Sequence, residues 1–163
     1  MNTMNTMNTM KKQNFIILFI FVFLMTLNAG TIMAKMVAVK TDNANMRSGP
    51  SLKKKVLWKL GAGFPLKVIK RSGQWLRVQD FEGSKGWVHK KVVNNSGHMI
   101  IKAQKKSKGK INIRSAPSVK AKLVAKAYYG VVFKTLEQKK GWVKVEYEGK
   151  LTGWIKRSLL WGF

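Results

Sequence analysis

The chain has 163 residues, enough for one ordinary domain or two small ones, and 45% of them are hydrophobic, enough to build a core. Lys and Arg number 32 against 6 Asp and Glu, so the formal net charge is +26. Cys is absent and His occurs twice, which excludes disulfides, thiolate zinc sites and thiol nucleophiles and leaves acid–base or metal chemistry almost no material.

Residues 1–9 are three copies of Met-Asn-Thr, and Met10 offers an alternative start. Lys11 and Lys12 precede an apolar run from Phe15 to Leu27, broken only by Thr26. Small residues follow at Ala29, Gly30 and Ala34. This three-part pattern predicts a secretory signal peptide over 1–34, with Ala34 the favoured cleavage position. The alternative is a retained anchor, because Phe15 to Ala34 is about the 20 residues that span a bilayer. Lys11 and Lys12 are the leader's only charges, so the exported remainder stays strongly basic.

That remainder contains itself twice. Asn45-Met46-Arg47-Ser48-Gly49-Pro50-Ser51 returns 67 positions later as Asn112-Ile113-Arg114-Ser115-Ala116-Pro117-Ser118. The same offset carries Gly63 to Gly130, Trp75 to Trp142 and Gly86-Trp87 to Gly153-Trp154. Two units are expected, over 35–93 and 99–163, joined by a linker at 94–98. Within them Val56, Trp58 and Leu60 alternate as one face of a strand, and Trp58 is expected in the core. Leu66, Val68 and Ile69, and Val131 to Leu136 in the second copy, read as further strands. Turn signals stand at Gly61-Ala62-Gly63, Ser72-Gly73 and Glu82-Gly83. No stretch after the leader has sustained helical periodicity. Short strands with turns about every ten residues predict an all-β barrel or sandwich.

Asn-Met-Arg-Ser-Gly-Pro-Ser, a Gly-containing turn, Gln-Trp-Leu-Arg-Val and Lys-Gly-Trp-Val-His, with their second-copy counterparts, resemble the bacterial SH3 domain (SH3b). The tandem layout ending in Ser158-Leu159-Leu160-Trp161-Gly162 is similar to a group of exported double-SH3 proteins of proteobacteria. The resemblance implies two tandem SH3-like small β-barrels of about five strands each, a binding role and a periplasmic or envelope location. Family members elsewhere are associated with cell-wall peptides or polysaccharides, often beside a wall hydrolase, and no hydrolase domain accompanies the two copies here.

Alternation predicts a hairpin of Trp75–Val78 with Lys85–His89, with Leu76, Val78, Gly86 and Val88 facing the core. Trp75 then pairs with His89 and Arg77 with Trp87 on the opposite face. In the second copy Trp142 pairs with Lys156 and Lys144 with Trp154. These eight residues form a candidate recognition strip, in which rings stack on sugars or planar groups and cations meet carboxylates or phosphates. The competing reading makes Trp87 and Trp154 end-caps of the core, covered by neighbouring alkyl stems; Trp75 and Trp142, beside turns, divide evenly between the two. The motif loops supply further candidates: Asn45, Arg47, Ser48 and Pro50, with Asn112, Arg114, Ser115 and Pro117. Pro fixes the turn, and the arginines are expected to tie the loop to the barrel rather than to meet ligand. Ala116 opposite Gly49 argues against a strict positive-φ requirement there.

Lysine clusters at 53–55, 90–91, 105–106 with 110, and 139–140 fall in predicted turns or strand ends. Their summed field attracts polyanions. Outside the cytoplasm these are peptidoglycan carboxylates, teichoic acids, lipopolysaccharide phosphates or anionic lipid; export argues against nucleic acid, the generic partner of such charge. His89 and His98 lie near no nucleophile motif, and the repeats share no carboxylate pair. The expectation is therefore no catalytic residue, no metal and no cofactor: a non-catalytic exported protein that attaches to peptidoglycan or another anionic envelope polymer. The alternative is an adaptor whose barrels bind a periplasmic protein.

Overall fold

The computed structural model describes residues 35–103 and 109–163; the expected leader over 1–34 lies outside them, as do Lys105 and Lys106. Apart from two 3₁₀ turns, at Lys90–Val92 and Arg157–Leu159, the regular structure of the described residues is all strand. The first repeat supplies β1 (Met36–Val39), β2 (Ala44–Arg47), β3 (Val56–Leu60), β4 (Pro65–Ser72), β5 (Trp75–Gln79), β6 (Lys85–His89) and β7 (Val93–Asn94). The second supplies β8 (His98–Ile101), β9 (Ile111–Arg114), β10 (Leu123–Ala127), β11 (Val132–Lys139), β12 (Trp142–Tyr147), β13 (Leu151–Lys156) and β14 (Leu160–Gly162). Each set forms one antiparallel seven-stranded sheet, in the orders β3-β2-β6-β5-β4-β1-β7 and β10-β9-β13-β12-β11-β8-β14.

The expected closed barrels are replaced by open sheets. No ladder joins β3 to β7 or β10 to β14. Each sheet nevertheless encloses its own core: Val39, Met46, Leu60, Leu66, Val78 and Val88 come from six different strands and pack into one cluster. A single sheet can do this only if it coils strongly, as right-handed strand twist favours. The second cluster is built likewise from Met99, Ile113, Phe133, Val145, Ile155 and Leu160. The open edges are β3 and β7 in the first sheet and β10 and β14 in the second; inside the first sheet β2 joins β6 through a single residue pair, Arg47 opposite Trp87.

Trp58 is a correction. It stands opposite Met46 on β3 but is 56% exposed, while Leu60 on the same strand is buried. β3 is an edge strand, and a bulge between Met46 and Arg47 breaks its register before Val56. With no strand beyond it, nothing covers a ring projecting there. A second bulge explains Ile69 and Leu136. Between Val68 and Lys70, and again between Thr135 and Glu137, one residue goes unpaired, and both hydrophobics face solvent.

The two repeats lie in one compact unit, Ala34–Phe163. Only Asn95, Ser96 and Gly97 separate β7 from β8, so Asn94 and His98, at the ends of the expected linker, are strand residues. Phe81 meets Tyr129 with ring centroids 5.3 Å apart, and the Tyr129 hydroxyl donates to Glu82 Oε1 at 2.5 Å. The Thr135 amide donates to Gly97 O at 2.9 Å. A Cβ on Gly63 would stand 2.7 Å from His98 Cδ2, so the first repeat's turn fits closely against the second.

The β11–β12 turn offers a test of local strain. Lys140 has φ 46° and Gly141 φ 80°, whereas the first repeat has Gly73 at φ 52° in the place of Lys140. A left-handed non-Gly residue is strained by its Cβ. Lys140→Gly is expected to raise stability by about 0.5–1 kcal/mol, seen as a higher urea midpoint; an unchanged or lower midpoint would show that the turn carries no such strain.

Candidate functional site

The hairpin registers bring the candidate residues to defined places. Trp75 stands opposite His89 and Arg77 opposite Trp87; Trp142 stands opposite Lys156 and Lys144 opposite Trp154. Leu76, Val78 and Val88 are buried on the other face, as are Val143, Val145 and Ile155. The eight residues nevertheless do not form one strip. Trp154 is buried, Trp87 is half-buried beside Arg47, and Arg77 is exposed. Trp75 and Trp142 are half-buried and open into grooves.

There are two such grooves, of about 190 Å³ and 260 Å³, and they are the same place in the two repeats. The first is lined by Asn45, Arg47, Leu52, Trp75, His89 and Val92. The second is lined by Asn112, Arg114, Val119, Trp142, Lys156 and Leu159, each 67 positions on. Each groove therefore runs between the motif loop, the start of the β5–β6 or β12–β13 hairpin and the following 3₁₀ turn. Motif loop and aromatic hairpin, separate candidates in the sequence, form one site in each repeat.

The loop is held mainly by its arginine. Arg47 Nη1 donates to Leu52 O and Lys54 O, both at 2.9 Å, and Arg114 Nη1 donates to Ala121 O at 2.8 Å. The Ser48 amide bonds Lys55 O and the Ser115 amide bonds Lys122 O, each at 2.9 Å. Side-chain caps come from the later serines: Ser51 Oγ accepts from the Lys53 amide and Ser118 Oγ from the Lys120 amide. Pro50 and Pro117 precede those serines and preset the turn. The arginines thus brace the groove wall while facing the groove. Asn45 Oδ1 is buried and accepts no hydrogen bond among the described residues.

The ring of Trp75 meets His89 edge to face, with centroids 5.2 Å apart and planes at 86°. His89 Nδ1 also accepts the Lys91 amide at 3.2 Å, capping the 3₁₀ turn that places Val92. Lys156 makes no such cap. The grooves also differ in charge. Asp42 lines the first, whereas Lys110, Arg114 and Lys156 line the second without a carboxylate.

Sequence reasoning missed Leu52 and Val119, which are 73% and 55% exposed at the groove rims. Their signal was present: an apolar residue recurs at the same offset inside two otherwise polar, lysine-rich loops. Val92 and Leu159 were missed because a three-residue 3₁₀ turn leaves no periodicity to read.

Comparison with known proteins follows the same division. Residues 40–95 match one bacterial SH3 domain family and residues 109–160 match another. The chain is 25% identical over 123 residues to the Bacillus subtilis protein named "Putative N-acetylmuramoyl-L-alanine amidase YrvJ", covering 72% of this chain and 24% of that protein. It is 43% identical over 49 residues to the Staphylococcus epidermidis "Probable cell wall amidase LytH", covering 29% of this chain and 17% of that one. The chain thus spans a quarter or less of the length of these curated relatives. Among solved structures, an NlpC/P60 family protein from Bacillus cereus is 13% identical, with a TM-score of 0.36, over 78% of this chain and 56% of that one. Matched twice in tandem, over both repeats that carry the grooves, the chain belongs to the bacterial SH3 domain family.

Proposed function

We propose that this protein is a non-catalytic, exported binding module that attaches to peptidoglycan or another anionic polymer of the cell envelope through its two grooves. The duplication of the groove carries the reading. A Trp, an Asn, an Arg and an apolar rim residue recur at one place in both repeats, and the hairpin position opposite each Trp holds His89 or Lys156. A repeating polymer is the kind of ligand that two equivalent sites on one body hold better than one, because the second contact is intramolecular. The half-buried rings offer apolar faces to sugars or peptide planes, and the surrounding lysines supply attraction to carboxylates or phosphates. The relatives named as cell wall amidases support an envelope setting, and the scarcity of carboxylates and histidines supports a role without catalysis.

Co-sedimentation of residues 35–163 with purified sacculi tests this. Trp75→Ala combined with Trp142→Ala is expected to weaken binding at least about tenfold, as loss of aromatic anchors does at binding sites. The variant must show an unchanged far-UV spectrum and unfolding midpoint. A folded double variant that binds sacculi like the parent would refute groove recognition. Absence of binding by the parent at low salt would move the search to a periplasmic protein partner, for which the exposed Leu52 and Val119 would be the anchors.

A further inference from the structure

The second repeat has a cavity beside its core. It measures about 250 Å³ and is separate from the groove. Ile113, Ala127 and Phe133, all buried, form its floor, and Tyr128 and Tyr147, 51% and 38% exposed, stand at its rim with Lys126. The first repeat differs at several of these positions. Offset by 67 positions, Val131 of the cavity lining corresponds to Phe64, Ile113 to Met46 and Tyr128 to Gly61. Phe64 packs against the first core and meets Phe81 edge-on at 6.0 Å. Val131 and Ala127 are smaller than Phe64 and Leu60 at the matching positions, Phe133 is larger than Leu66, and Tyr128 stands at the mouth where the first repeat has Gly61. All three tyrosines of the chain lie in this repeat, and two of them line this cavity.

The rim is ordered and charged. Tyr147 leans on Phe133 with ring centroids 5.7 Å apart. Glu148, which lines the cleft between the repeats, accepts from the Tyr147 phenol and raises its pKa above the usual phenol value. Lys110 Nζ stands 5.0 Å from the centroid of the Tyr128 ring. Lys110 also lines the second groove, so groove and cavity adjoin across this Lys–Tyr pair.

We infer that this cavity binds one six-membered sugar ring carrying a carboxylate, as a subsite beside the second groove. Apolar floor and tyrosine walls suit the C–H faces of a pyranose, phenolic hydroxyls suit its hydroxyls, and Lys110 and Lys126 suit the anion. The cavity has room for one ring, which disfavours an acyl chain. The choice of a sugar among ring-bearing anions rests on the envelope-polymer reading above.

The test is an amide-resonance titration of residues 35–163 with N-acetylmuramic acid, with N-acetylglucosamine, which lacks the carboxylate, and with uridine monophosphate. N-acetylmuramic acid is expected to shift Tyr128, Val131, Phe133 and Leu151, and N-acetylglucosamine to bind about fivefold more weakly, the effect of losing one exposed charge contact. Tyr128→Ala removes an exposed wall, and Val131→Phe introduces the first repeat's ring; both are expected to abolish the shifts while the remaining spectrum stays folded. If Val131→Phe perturbs folding, Tyr128→Ala alone decides. Unmoved cavity resonances, equal response to both sugars, or stronger binding of uridine monophosphate would each overturn the inference. Sacculus binding without cavity shifts would defeat the subsite and leave the groove reading standing. Cavity shifts without sacculus binding would defeat the polymer reading and leave a monosaccharide site.

Discussion

Gly153→Ala is expected to destabilise the second repeat by about 3 kcal/mol, and Gly86→Ala the first by about 2 kcal/mol. Neither glycine needs a left-handed backbone; space is what is missing. A Cβ on Gly153 would stand 2.5 Å from Ile113 Cγ2 and 3.0 Å from Arg114 O. A Cβ on Gly86 would stand 2.5 Å from Met46 Cγ and 3.1 Å from Arg47 O. The carbonyls cannot yield without moving β2 or β9, which meet β6 and β13 through only one residue pair each. The two sites differ in the side chain they face. Ile113 is β-branched and stiff, whereas Met46 can swing its thioether aside. Urea unfolding followed by tryptophan fluorescence measures both. Equal midpoints for parent and Gly153→Ala would show that the close approach of β13 to β9 does not limit the fold. Because Arg47 and Arg114 sit at this crossing and brace the groove walls, both variants are also expected to weaken ligand binding.

Binding to an anionic envelope polymer is expected to fall about 20- to 40-fold between about 50 and 200 mM salt. The figure follows from about three neutralised ligand charges, each giving a log–log slope somewhat below one. The second groove should dominate this dependence, since Lys110, Arg114 and Lys156 line it without a carboxylate, whereas Asp42 offsets the charge of the first. Lys110→Gln with Lys156→Gln is therefore expected to flatten the salt dependence more than His89→Gln does. Sacculus co-sedimentation across a salt series reads both. Affinity that is flat with salt while the Trp75→Ala/Trp142→Ala variant loses it would point to an apolar interface with a protein partner instead.

Much of the fold was legible from residue order. The repeated Asn-x-Arg-Ser motif and the 67-residue offset marked two equivalent units, and period-two alternation placed Trp75 opposite His89 and Trp142 opposite Lys156. Alternation failed at Trp58. It reports which face of a strand a residue occupies, but not whether another strand covers that face or whether a bulge interrupts it. Arg47 illustrates the same limit: its role as a loop brace was expected, but its place beside Trp75 in one groove depends on β2 meeting β6 across the sheet.

The sequence by itself determined the duplication, the all-strand character, the hairpin registers and the excess of positive charge. Each is local or additive, set by neighbours along the chain or by a count of residue types. Only the tertiary structure decided that the sheets stay open, that the repeats pack through Phe81, Tyr129 and Glu82, and that motif loop and hairpin share a groove. It also decided that Ile113, Phe133 and Tyr147 meet around a cavity in the second repeat. These features arise from how a coiled sheet brings distant residues together, and whether space remains between them depends on the volume of every side chain meeting there.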